Sequence, residues 1–269
     1  MDFWHYPFLR NAFLAALLLG PACGLLGVFV TLRGMAFFSD AIAHAALTGV
    51  ALALLLQQCL GTHVDLLAVV LTFSLGLSAA MAHLLNRTHL RSDTVIAFSF
   101  TGSVALGVLL ISKLGQYRLL DGVLFGDIYA NAPRDLLAQA GLAAGLFAFF
   151  GWNLRPYLLT LVEPDLARVE GANLERLNLV FALLVGATVT LCLKMLGTLL
   201  LSGLIVIPPA AAKLVARNFR QMIFYSVGLG LVGAGSGVLL SYACDTPTGP
   251  TLVLTDLGLL FLCFIFRLK

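Results

Sequence analysis

The 269-residue chain is poor in charge. Asp, Glu, Lys and Arg make up 11% of it, against about 25% in a soluble domain. No polar stretch is long enough to fold as a soluble unit, so one transmembrane domain over residues 1–269 is expected. Cysteine is sparse and scattered: Cys23, Cys59, Cys192, Cys244 and Cys263 form no CxxC pair. Nothing in that spacing argues for a disulfide framework or a cysteine metal site, and the five read as small apolar fillers. HExxH is absent, which leaves a zinc metalloprotease without its motif. GxxxxGK[ST] is absent too, so the chain has no P-loop for ATP, and an ATP-driven step needs a separate ATPase subunit. Ser236 sits in "GAGSGV" with no evident histidine partner, and the stretch reads as glycine packing. No catalytic constellation and no bound cofactor are expected. The start, "MDFWHYPFLRNAFLAALLLG", lacks a basic n-region and a clear cleavage site, so the first helix reads as retained.

Hydrophobic residues supply 60% of the chain and the mean hydropathy is +1.00. Nine apolar segments are read at 8–32, 36–59, 63–86, 92–113, 133–155, 174–195, 197–216, 220–243 and 249–267. Each suits a hydrocarbon core of about 30 Å, which takes about 20 helical residues. The predicted fold is therefore all-α and polytopic, with eight or nine spanning helices. The uncertain boundary is "KMLG", which alone divides the sixth segment from the seventh. Eleven of the sixteen Lys and Arg fall on one side of this arrangement, among them those of "NRTHLR", "RNFR" and "FRLK". The positive-inside rule makes that side cytoplasmic, with the N-terminus outside and the C-terminus inside. The net charge of +3 adds little to this, and no nucleic-acid partner is expected.

Several segments are patterned for close packing. Ala41, Ala45, Gly49 and Ala53 form a small-xxx-small stripe. Segment eight carries Gly228, Gly230, Gly233, Gly235 and Gly237. In "IVIPPAAA", Pro208 and Pro209 remove two backbone donors and predict a helix break. Such a break serves either packing or a cavity at membrane depth. The 116–133 loop, with Asp121 and Asp127, suits a re-entrant or interfacial segment on the outer side.

The chemistry concentrates in "MAFFSDAIAHAALTG". Asp40 and His44 are four residues apart, so a helix places them on one face with Cβ atoms about 5–6 Å apart. An ionised Asp at the membrane centre costs about 2.5–3.5 kcal/mol and usually faces a partner or a polar path. A carboxylate oxygen with an imidazole nitrogen can hold a divalent transition metal. Two ligands are too few for a closed site, and a second copy across a two-fold axis would supply two more. The competing reading is a pair that bonds only to itself or to nearby backbone. His83 reads as interfacial or core, and His5, His63 and His89 as loop or helix-end residues. Between two spans, "VEPDLARVEGANLE" has Pro164 and Asp165 suited to a helix start and Gly171 to its end. It is either a short cytoplasmic helix on which an ATPase docks or an ordinary polar loop.

Five stretches carry a resemblance. They are "TLRGMAFFSDAIAHAALTGVALA" (31–53), "LLDGVLFGDI" (119–128), "EPDLARVEGANLERLNL" (163–179), "LGTLLLSGLIVIPPAAAKLVARNFRQM" (196–222) and "DTPTGPTLVL" (245–254). In this order they resemble the permease subunits of metal-uptake ABC transporters, and the zinc-uptake branch most closely. The resemblance implies an importer of Zn²⁺ in the bacterial inner membrane, built as a homodimer with two cytoplasmic ATPase subunits and a periplasmic metal-binding protein. It implies that Asp40 and His44 contact the metal in the translocation path. It implies that Glu163, Pro164, Asp165, Leu166, Arg168, Glu170 and Gly171 belong to the coupling helix. Mn²⁺ or Fe²⁺ as the transported ion is the alternative, and a carrier working without an ATPase is the rival class. The chain departs from the family pattern at Pro209, Ala211, Ala212 and Asp256. Asp256 reads either as an interfacial acid or as a polar point near the path.

Overall fold

The computed structural model describes residues 6–61, 64–88, 90–115 and 133–267. The helices are α1 (Pro7–Leu32), α2 (Ala36–Leu60), α3 (Leu66–Arg87), α4 (Ser92–Leu114), α5 (Pro133–Val162), α6 (Pro164–Val169), α7 (Leu174–Val215), α8 (Phe219–Cys244) and α9 (Thr248–Arg267). Among the described residues nine stretches are long and apolar enough to cross a membrane, α7 supplying two of them. They match the nine segments read from the sequence. The 116–132 part of the loop, including Asp121 and Asp127, lies outside the described residues, as do His5, His63 and His89.

Local chemistry sets the helix ends. Asp65, Asn173 and Asn218 cap α3, α7 and α8 by accepting from Leu67, Arg176 and Gln221 N–H. At α8 the Gln221 side chain also reaches back, Oε1 accepting from the N–H of Arg217, the residue before the cap, at 2.9 Å. The helix α5 runs past the segment end expected at 155. It bends at Asn153 (φ −105°, ψ 15°), three residues before Pro156. A proline ring clashes with the carbonyl four residues back, which opens the helix there.

The sixth and seventh segments form one helical run with a break inside it. A straight α7 of 42 residues would be about 63 Å long, twice the hydrocarbon core. The break lies at Gly197 (φ 72°, ψ 176°), a conformation open to glycine because it lacks a Cβ. The neighbours of α7 show that the chain turns back there. Phe181 lies against Arg33 just past the end of α1, and Cys192 Sγ is 3.7 Å from Cys23 Sγ higher on α1. A straight helix would then carry Ile205 about 20 Å further on. Instead the Ile205 carbonyl sits against Gly27, back towards Arg33. The break coincides with the "KMLG" boundary read between the sixth and seventh segments, and the one expected at Pro208 and Pro209 does not occur, since the backbone stays helical there. Proline removes a donor but fixes a φ compatible with a helix, whereas the geometry at Gly197 is not helical at all.

Small residues bring the helices together, as they must where lipid removes the hydrophobic drive for helix association. A Cβ on Gly20 would strike the Gly230 carbonyl, and one on Gly230 would strike that of Gly20. Ser226 Oγ donates to the Gly24 carbonyl at 2.7 Å in the same α1–α8 seam. The α2 stripe is buried, with Gly49 so close to α3 that a Cβ would stand 3.1 Å from Val70 Cα. On the other side of α2, Thr48 donates to the Ser103 carbonyl of α4. Towards the Arg33 end, Phe29 stacks on Phe150 at 4.0 Å and meets Tyr157 edge-on at 5.1 Å, locking α1 to α5.

Candidate functional site

Asp40 and His44 lie in the first turns of α2, on one face as their spacing requires. Both are partly buried, with side-chain exposures of 29% and 21%. His44 Nδ1 is 3.0 Å from the Asp40 carbonyl oxygen and 3.5 Å from Asp40 Oδ1. A carbonyl can only accept, so Nδ1 carries the proton in this contact, and in the neutral ring Nε2 is the nitrogen with the lone pair. Phe100 of α4 holds the imidazole edge-on, with ring centres 5.2 Å apart. The ring is thus oriented by its own helix and by α4, and Nε2 is the nitrogen open to a metal.

Asp40 borders a cavity of about 390 Å³ between α2 and α4. Phe37, Ile96 and Phe100 give it apolar walls, and Asp93 adds a second carboxylate. Sequence reasoning passed over Asp93 because an acid in the first turn of a helix is ordinary dipole chemistry. Only the packing of α2 on α4 brings it to the cavity that Asp40 faces. Among the described residues, no group of three or more His, Cys, Asp and Glu is placed to hold a metal. His83 is exposed on α3, away from the Asp40 cavity.

The 163–171 stretch does form a helix. Pro164 opens α6 and Glu163 precedes it. The Glu163 carbonyl accepts from Ala167 N–H at 3.1 Å. Asp165 and Arg168 pair at 3.1 Å, and Glu170 reaches Arg155 of α5 at 3.9 Å. Gly171 follows with φ +84°, and Ala172 N–H donates to the Ala167 carbonyl at 2.9 Å, the six-to-one bond of a Schellman end. Ala167 is buried, while Leu166 and Val169 are 48% and 84% exposed. A short helix at the surface thus points apolar side chains outward.

Asp256 is 2% exposed on α9, which removes the interfacial alternative. Neither carboxylate oxygen has a hydrogen-bond partner among the described residues. It faces Gly233 of α8, where a Cβ would overlap Asp256 Oδ1.

Nine apolar spans among the described residues make this a polytopic helical membrane protein. The chain belongs to the ABC 3 transport family, which matches residues 5–267; its members are permeases of metal-uptake ABC transporters. It is 31% identical over 266 residues to the high-affinity zinc uptake system membrane protein ZnuB of Haemophilus influenzae, covering 97% of each chain. It is 30% identical over 261 residues to the manganese import system permease protein ScaB of Streptococcus gordonii, covering 97% of this chain and 91% of that one. PsaBC from Streptococcus pneumoniae, solved in complex with Fab, superposes with a TM-score of 0.82 at 27% identity, over 98% of this chain and 93% of that one. The protein is thus a multi-pass protein of the bacterial inner membrane and a subunit of metal uptake.

Proposed function

We propose that this chain carries Zn²⁺ from periplasm to cytoplasm as one of two identical permease subunits, with Asp40 and His44 as the intramembrane metal contact. The observation that carries the reading is the 3.0 Å contact of His44 Nδ1 with the Asp40 carbonyl, which in the neutral ring leaves Nε2 as a nitrogen donor one turn from a partly buried carboxylate. A hydrated dication must shed water on its way through, and one oxygen and one nitrogen replace part of that shell. Two copies would bring two Asp and two His to the dimer axis, a four-coordinate stop suited to zinc. Relatives for zinc and for manganese are equally similar, so identity does not choose the metal. Imidazole suits zinc, while manganese favours carboxylate, carbonyl and water. Mn²⁺ or Fe²⁺ is the alternative, favoured if Asp93 joins the sphere and makes it richer in oxygen.

In this reading the work is done elsewhere. Two ATPase subunits seat, one on α6 of each permease chain, through Leu166 and Val169, and a periplasmic metal-binding protein delivers the ion. The whole chain acts as one domain. The test is uptake by the full complex in proteoliposomes, with Zn²⁺, Mn²⁺ and Fe²⁺ supplied separately and together. ATP-dependent zinc uptake that excess manganese fails to suppress supports the reading. Manganese uptake that excess zinc fails to suppress assigns the other metal, and uptake without the ATPase points to a self-sufficient carrier.

A further inference from the structure

A second cavity, of about 440 Å³, lies where the Arg33 end of α1 meets α2, α3, α4, α5 and α7. Arg33 is its cation. The guanidinium carbon lies 4.6 Å from the ring centre of Tyr157 and 4.5 Å from that of Phe181, and these two rings are themselves neighbours, 5.7 Å apart. Arg33 Nε is buried and has no acceptor among the described residues. Burial lowers the Arg33 pKa from its usual value, partly opposed by Tyr157, yet an arginine stays charged at neutral pH. A cation with a buried, unpartnered N–H calls for an acceptor, which an anion would supply.

None of the residues lining the cavity is acidic. Asp93, the nearest acid in sequence to this wall, borders the Asp40 cavity instead. The neutral polar groups here are donors in waiting. Asn178 Nδ2 donates to Asn86 Oδ1 at 2.9 Å, which leaves the Asn86 amide N–H groups uncommitted, and the Ser92 hydroxyl lies nearby on the wall. The helices α2 and α4 both begin at this cavity, and neither has a side-chain cap. Their first N–H groups and dipoles add positive potential. The remaining walls are apolar, including Phe38, Leu85 and Leu161.

We propose that this cavity binds a phosphate group through the Arg33 guanidinium and the Asn86–Asn178 pair. A tetrahedral anion with several acceptor oxygens fits donors that arrive from different helices, and apolar walls suit the glycerol and upper acyl chains of an anionic phospholipid. The basic residues cluster at this end of the bundle, at the depth of the cytoplasmic headgroups, where such a lipid is at hand. The same chemistry could be met by free phosphate.

The experiment is native mass spectrometry of the full chain with phosphatidylglycerol, with the phosphate-free lipid monogalactosyl diacylglycerol, and, in a separate arm, with inorganic phosphate as competitor. Phosphatidylglycerol should be retained about tenfold more tightly than the glycolipid, and Arg33→Gln should abolish that preference. Arg33 also packs against two rings, so Asn86→Asp provides a variant that spares these contacts. Its new carboxylate still accepts from Asn178 but repels an anion, and the preference should fall about tenfold at unchanged thermal stability. Displacement by millimolar phosphate would name free phosphate as the occupant, and resistance to it would name the lipid. Equal retention of both lipids with no phosphate binding, or an Asn86→Asp chain that binds like the wild type, overturns the proposal.

Discussion

His44 Nδ1 stands 3.0 Å from the carbonyl oxygen of Asp40, one helical turn away on α2. In the neutral ring this bond puts the proton on Nδ1 and leaves Nε2 as the nitrogen with the lone pair. His44→Gln can keep a nitrogen or oxygen near the path but loses the imidazole lone pair. Uptake by the reconstituted complex should fall by about tenfold or more for His44→Gln, and further for His44→Ala. Protein yield and detergent stability should stay close to wild type, and their collapse would instead mark His44 as structural.

Asp93 supplies the neighbouring carboxylate in the Asp40 cavity. A charge across a partly hydrated cavity is worth about 1 kcal/mol to a cation, so Asp93→Asn should lower the uptake rate about fivefold. A rate equal to wild type would place Asp93 outside the path.

The turn in α7 depends on close approach to α1. Gly27 faces the Ile205 carbonyl with no room for a Cβ, whereas Gly76 and Gly102 have nothing within 4 Å. Gly27→Ala should destabilise the chain by about 1–3 kcal/mol through overpacking, read as a lower melting temperature in detergent. Gly76→Ala and Gly102→Ala should melt as the wild type does.

The apolar spans and the α6 helix could be read from sequence because each depends on composition or local chemistry over a few residues. Segment ends came within a few residues except at α5, where Asn153 and Pro156 bend the helix and let it continue. The turn in α7 falls at Gly197, inside the "KMLG" boundary read between the sixth and seventh segments, whereas Pro208 and Pro209 announce a lost donor and yet stay helical. Asp40 and His44 were visible because both are expensive in a membrane. Asp93 and Arg33 were not, since acids and bases at helix ends look ordinary until the neighbouring helices enclose them.

Docking at α6 rests on the outward Leu166 and Val169 and on the end formed by Gly171. Val169→Asp should reduce capture of the ATPase subunit in a pull-down by about tenfold, with membrane insertion intact. Gly171→Val, forced into a left-handed conformation, should do likewise. Full capture together with normal uptake by both variants would return 163–171 to the status of a loop. The purified chain alone should show no ATPase activity.

The central claim is that the Asp40 carboxylate meets the ion. The most direct measurement is zinc uptake by the reconstituted full complex carrying Asp40→Asn, alongside its melting temperature. Asparagine keeps the size of the side chain and a hydrogen-bonding oxygen but removes the charge. The expected result is uptake near background from a complex as stable as the wild type. Near-normal uptake by that variant would contradict the claim and leave Asp40 as a hydrogen-bonding residue of α2.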